Sequence, residues 1–100
     1  MEIISVQKIK SSFTPILQKA GVNRSSIFGS FARGEQNSQS DIDLLIDFPE
    51  GKGLIEFIRL KNELEDSLNR KVDLVTYNSL SPLIKEQVFS DQIVIYEKGQ

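Results

Sequence analysis

The run Asp41-Ile42-Asp43-Leu44-Leu45-Ile46-Asp47-Phe48 decides how the rest of the chain is read. Its Ile and Leu content marks a central strand from Asp41 to Phe48, and Pro49-Glu50-Gly51 ends it. Alternation along a strand sends Ile42, Leu44 and Ile46 into a core. The same alternation turns Asp41 and Asp43 to the opposite face, with their carboxylates roughly 6.5–7 Å apart. Like charges at that distance repel by about 2–3 kcal/mol at an effective dielectric of about 20, a cost that a divalent cation turns into binding. Asp47 shares that face, but beside the Pro49 turn it reads as solvated.

Upstream, Arg24 to Phe28 reads as a short strand that stops at Gly29. Gly29-Ser30 stands at its end, just ahead of Phe31 to Glu35, which has the makings of one helical turn. A glycine there lets the backbone approach a phosphate, while the N–H groups of a helix start and the Ser30 hydroxyl are donors to it. Arg33 is a candidate to neutralise a phosphate and equally a solvated loop arginine. Glu35 reads as a surface residue near a helix dipole. A polar stretch from Glu35 to Ser40 joins this segment to Asp41.

Outward from this centre, Val6, Ile9, Phe13, Ile16, Leu17 and Ala20 recur at steps of three and four, an amphipathic helix with Gly21 as its stop. Pro15 predicts a kink, or a break with Thr14 capping a second short helix. On the other side, Leu54, Phe57, Ile58, Leu60, Leu64 and Leu68 form a second apolar stripe, assigned to the core. Arg59 with Glu63, or Lys61 with Glu65, pair four apart on its wet side. Lys71 to Thr76 alternates as a third strand, and Ser81-Pro82 caps a short helix to about Phe89. Ile93 to Tyr96 makes a last strand. The order predicts an α+β fold in which helices flank a mixed β-sheet, as a single domain over residues 1–100.

Asp73 is out of keeping with Lys71-Val72-Asp73-Leu74-Val75, because a lone charge is a poor strand former and is almost never buried unpaired. If its strand neighbours that of Asp41, three aspartates converge. Such an all-oxygen site suits Mg²⁺, which retains waters and takes further ligands from substrate phosphates. Composition agrees with oxygen ligation. Among 100 residues there is no Cys and no His, which removes thiolate catalysis, disulfides, imidazole acid/base chemistry and most zinc sites. The net charge of −2, with scattered Lys and Arg, argues against direct binding of duplex nucleic acid. No apolar run is long enough for a signal peptide or a membrane span, so the expectation is a cytoplasmic protein with no membrane contact.

Phe28-Gly29-Ser30-Phe31-Ala32-Arg33-Gly34-Glu35 followed by Ser40-Asp41-Ile42-Asp43-Leu44-Leu45 closely resembles the polymerase-beta-like nucleotidyltransferases, whose signature is Gly-Ser, a spacer, Asp-x-Asp and a later acidic residue. The segment from Gly53 to Val75 and the Ser81-Pro82 helix resemble the minimal nucleotidyltransferases found as antitoxin partners of HEPN-domain toxins. The resemblance implies a polymerase-beta-like core and Asp41, Asp43 and Asp73 as metal-binding and catalytic residues. It implies Gly29, Ser30 and Arg33 as nucleotide-binding residues. The implied reaction moves a nucleoside monophosphate, AMP from ATP, onto a hydroxyl. Mg²⁺ serves in a two-metal site that Mn²⁺ can also fill, and Asp73 is the candidate base. No residues remain for an acceptor-holding domain, so the implied acceptor is a tyrosine of a HEPN-type ribonuclease toxin, met in a hetero-oligomer. Two other readings stay open at this level: a non-catalytic antitoxin that neutralises by binding, and a small-molecule nucleotidyltransferase.

Overall fold

The computed structural model describes residues 4–37 and 40–99. Ser38 and Gln39 of the expected polar connection lie outside the described residues. The first helix, α1 (Val6–Lys19), is capped by Ser5, whose side chain accepts a hydrogen bond from Lys8 N–H. It buries Ile9, Phe13 and Leu17. Pro15 neither ends nor divides it, so the alternative of a break capped by Thr14 is overturned. Pro15 and Ser11 are both exposed, so the Ser11 carbonyl that loses its donor is open to water, and Thr14 Oγ1 bonds back to the Lys10 carbonyl at 2.6 Å. Gly21 adopts φ +76° just past the cap, the left-handed turn that frees the chain to enter the sheet.

The remaining elements are β1 (Arg24–Phe28), α2 (Gly29–Arg33), β2 (Ile42–Asp47), α3 (Leu54–Leu68), β3 (Val72–Thr76), α4 (Pro82–Asp91) and β4 (Ile93–Glu97), with a 3₁₀ turn at Tyr77–Ser79. The strands form one sheet in the order β3-β2-β1-β4. β1 runs antiparallel to both β2 and β4, whereas β2 and β3 are parallel and joined through α3. The expected mixed sheet with flanking helices is the fold observed.

Alternation along β2 divides the molecule. Ile42, Leu44 and Ile46 belong to the main core, with Ile9, Phe13 and Leu17 of α1 and Leu60 and Leu64 of α3. Leu45 points the other way into a smaller cluster with Leu80 and Val88, against which Phe28, Val75 and Tyr77 pack. The acidic residues of β2 and β3 share this second face. Two stripe residues of α3 assigned to the core are not in it: Leu54 is 72% exposed and Ile58 47%. A helical period fixes only a direction, and burial also needs a neighbour, which Leu60, Leu64 and in part Phe57 find and Leu54 and Ile58 do not. The expected pairs Arg59–Glu63 and Lys61–Glu65 do not close either. Among the described residues the ion pair within 4 Å is Arg33 with Glu35, and Glu65 Oε2 instead accepts from Val72 N–H at 2.9 Å. Among the described residues no helix is long and apolar enough to cross a membrane.

Candidate active site

The parallel pairing of β2 with β3 sets Asp43 directly beside Asp73, and the antiparallel pairing with β1 sets Phe28 on its other side. Neighbouring residues across a sheet point to the same face, so the two aspartates distant in sequence meet side by side. The two carboxyls lie close enough for the charge of one to act on the other. The Asp43 carboxyl rises from its ordinary 3.8 to about 6, first because it is half-buried, then because the charges of Asp73 and Asp41 oppose its ionisation. Arg33 acts in the opposite sense. Asp73 is exposed, which answers how a carboxylate sits within an otherwise apolar strand.

Asp41 is not part of the ladder. β2 begins at Ile42, one residue later than the sequence pattern suggests, and Asp41 is exposed ahead of it, near enough for its charge to act on Asp43. Both its neighbours are nevertheless tied to the start of β3. Ile42 N–H donates to the Lys71 carbonyl at 3.0 Å, and Arg70 Nη1 donates to the Ser40 carbonyl at 3.0 Å. Among the described residues no three acidic side chains are gathered closely enough to enclose a cation by themselves. The expected convergence is therefore an adjacent pair, Asp43 and Asp73, with Asp41 at its edge. An oxygen-only donor set of neighbouring carboxyls would suit a hard cation such as Mg²⁺.

Gly29 lies against this pair. Its φ of +72° favours glycine, and a Cβ there would fall on Asp43 Oδ2 and stand 3.0 Å from Asp43 Cγ. Glycine thus gives the carboxylate its room as well as giving the turn its shape. α2 starts at Gly29 itself, two residues before the expected turn, and no side chain caps its first N–H groups. Ser30 sits in this first turn, while Gly34 at φ +72° ends the helix. Arg33, in the last turn, bonds Glu35 through Nε at 3.0 Å. Asp47 is exposed, as the reading of it as solvated requires.

Gly29, Ser30, Asp41, Asp43 and Asp73 are brought to one end of one sheet face, with Arg33 within electrostatic reach. The contact from Arg70 to Ser40 was not foreseen. An arginine just beyond a helix reads in sequence as a partner for the helix dipole, and nothing in the pattern marks a carbonyl thirty residues away as its acceptor.

The family model for polymerase beta nucleotidyltransferases matches residues 7–100. A relative from Methanocaldococcus jannaschii, provisionally named a protein adenylyltransferase, is 49% identical over 90 residues, covering 90% of this chain and 97% of its own length. The protein adenylyltransferase MntA of Thermococcus cleftensis is 34% identical over 99 residues, covering 95% of this chain and all of its own length. A crystal structure of a toxin-antitoxin with AMP-PNP contains a chain that superposes with a TM-score of 0.76 at 25% identity, covering 91% of this chain and 75% of that one.

Proposed function

This chain belongs to the polymerase beta nucleotidyltransferase family, and from that membership we propose that it is a protein adenylyltransferase that moves AMP from ATP onto a hydroxyl of a partner toxin. The observation that carries the proposal is the carboxyl pair of Asp43 and Asp73 packed against Gly29, with Asp41 at its edge. The naming of two relatives as protein adenylyltransferases supports AMP transfer to protein, and the neighbour solved as a toxin-antitoxin with AMP-PNP supports both the nucleotide and the partner. The partner in this reading is a HEPN-type ribonuclease toxin and the acceptor one of its tyrosines. The chain acts as a single catalytic domain over residues 1–100, in the cytoplasm and as a hetero-oligomer with the toxin.

Asp41, Asp43 and Asp73 would hold Mg²⁺, or Mn²⁺ in its place. When bound, the metal supplies charge neutralisation for the triphosphate and for the oxygens that attack and depart. The chain's own groups do the rest. Backbone N–H groups at Gly29 and Ser30, with the Ser30 hydroxyl, bind phosphate oxygens at the uncapped start of α2, and Arg33 faces the developing negative charge. The acceptor hydroxyl oxygen bonds to the α-phosphorus while the bond to the bridging oxygen of the β-phosphate breaks. Pyrophosphate departs with that bond's electron pair. Asp73, exposed at the mouth of the pair, takes the hydroxyl proton. α4 covers the neighbouring part of the sheet face and limits water there.

ATP labelled at the α-phosphate, incubated with the chain, the toxin and Mg²⁺, should leave label on the toxin, and Asp41→Asn or Asp43→Asn should abolish it. Undiminished labelling by either variant overturns the assignment, and an inhibited but unlabelled toxin overturns the catalytic reading as a whole.

A further inference from the structure

We propose that Arg70 is a positioning residue that holds Asp41 ready for the metal. Asp41 differs from its two partners in the site. Asp43 and Asp73 are fixed by the hydrogen bonds of β2 and β3, whereas Asp41, itself exposed, stands outside the ladder just ahead of β2. The residue after it, Ile42, opens β2 opposite Val72, and its N–H donates to the Lys71 carbonyl. The residue before it, Ser40, is bonded within its own loop, where its N–H donates to the Asn37 carbonyl and its Oγ accepts from Asn37 N–H. The Arg70 side chain joins it to the sheet, through Nη1 to the Ser40 carbonyl at 3.0 Å.

Arg70 is well founded for that task. Asn69 adopts the left-handed conformation, φ 49°, that ends α3, and Arg70 N–H bonds back to the Glu65 carbonyl at 3.2 Å. The same glutamate accepts from Val72 N–H through Oε2 at 2.9 Å. Glu65 thus grips the chain on both sides of Lys71, and the half-buried Arg70 side chain extends from that junction across to the Asp41 loop. A charged donor on a carbonyl makes a strong hydrogen bond, and arginine, always ionised, keeps it at every working pH. The inference rests on the reading of Asp41 as a metal ligand. If the backbone at Asp41 must otherwise be ordered when the cation arrives, metal affinity falls by the conformational entropy of that ordering, about tenfold for one residue's backbone.

The test is Mn²⁺ binding to the full chain without nucleotide, titrated by electron paramagnetic resonance, with melting temperature followed in metal-free buffer. Arg70→Met keeps the stem without a donor and should weaken Mn²⁺ about tenfold. Arg70→Lys restores a charged donor and should recover most of the affinity. The half-saturating Mg²⁺ of AMP transfer should rise in Arg70→Met by the same factor, which a change in folding stability alone would not produce. Equal Mn²⁺ affinity in Arg70→Met, Arg70→Lys and the unsubstituted chain overturns the proposal, provided Asp41→Asn lowers it. Absence of Mn²⁺ binding in the unsubstituted chain overturns the metal site and this inference together.

Discussion

Asp43 shows what a half-buried carboxyl among other acids costs the protein that carries it. An acid with a folded pKa of about 6 against an ordinary 3.8 holds its proton more tightly folded than unfolded. Its contribution is therefore most favourable below about pH 4 and is lost as pH rises through 6. Metal-free protein should melt at a lower temperature at about pH 7.5 than at about pH 5 through this group, and Asp43→Asn should remove that difference. Cation binding has the opposite dependence, because the metal competes with the proton. The rise in melting temperature given by Mg²⁺ should be larger at about pH 7.5 than at about pH 5, and an equal rise at both, measured by calorimetry, would sink the idea. Asp43→Asn should also raise the melting temperature of the metal-free protein, since it removes a half-buried charge facing two others. Gly29 is the second residue on which the site turns. Gly29→Ala combines a left-handed φ, which costs about 1–2 kcal/mol for a residue with Cβ, with a collision against Asp43. Urea denaturation should register the stability loss, and metal titration a larger defect than a turn substitution elsewhere, such as at Gly51, where no heavy atom lies within 4 Å of the added Cβ.

At the scale of the element, α1 tolerates a proline that the pattern predicts will disturb it. The missing N–H and the crowded turn fall on the exposed side, while Ile9, Phe13 and Leu17 on the other side hold the helix to the sheet. Packing thus overrides local propensity without removing its cost. Pro15→Ala should stabilise the protein by about 1–3 kcal/mol in urea denaturation, because it restores a helical hydrogen bond and relieves the clash. A destabilised variant would mean that Pro15 has a contact of its own. α3 teaches the complementary lesson. Its stripe is regular, yet only Leu60 and Leu64 are buried, so Leu64→Ala should cost about 2–5 kcal/mol while Leu54→Ala should change stability by less than about 0.5 kcal/mol. Equal costs at the two positions would show that the first turn of α3 is covered in solution.

For the whole molecule, the crossover β2-α3-β3 is the connection that makes the site. Parallel strands cannot be joined by a tight turn, and α3 is the helix that spans the distance and covers the main core on the way. Its C-terminal turn then delivers Asp73 beside Asp43 and, through Arg70, donates to the Ser40 carbonyl next to Asp41. The two faces of the sheet divide the labour: one closes a core under α1 and α3, while the other offers the carboxylates beside α4.

The sequence by itself determined the order of the elements, the alternation that separates core from acidic face in β2, and the candidate residues. Each of these is written in short-range spacing, or in a residue type at odds with its surroundings, as Asp73 is among Val72, Leu74 and Val75. Strand register was decided only by the tertiary structure. So were the room that Gly29 leaves for Asp43, the exposure of Leu54 and Ile58, and the reach of Arg70 to Ser40. Period tells a side chain which way to point, but which neighbour it meets depends on how far α3 carries the chain before β3 pairs, and that is fixed by packing between residues far apart in the sequence.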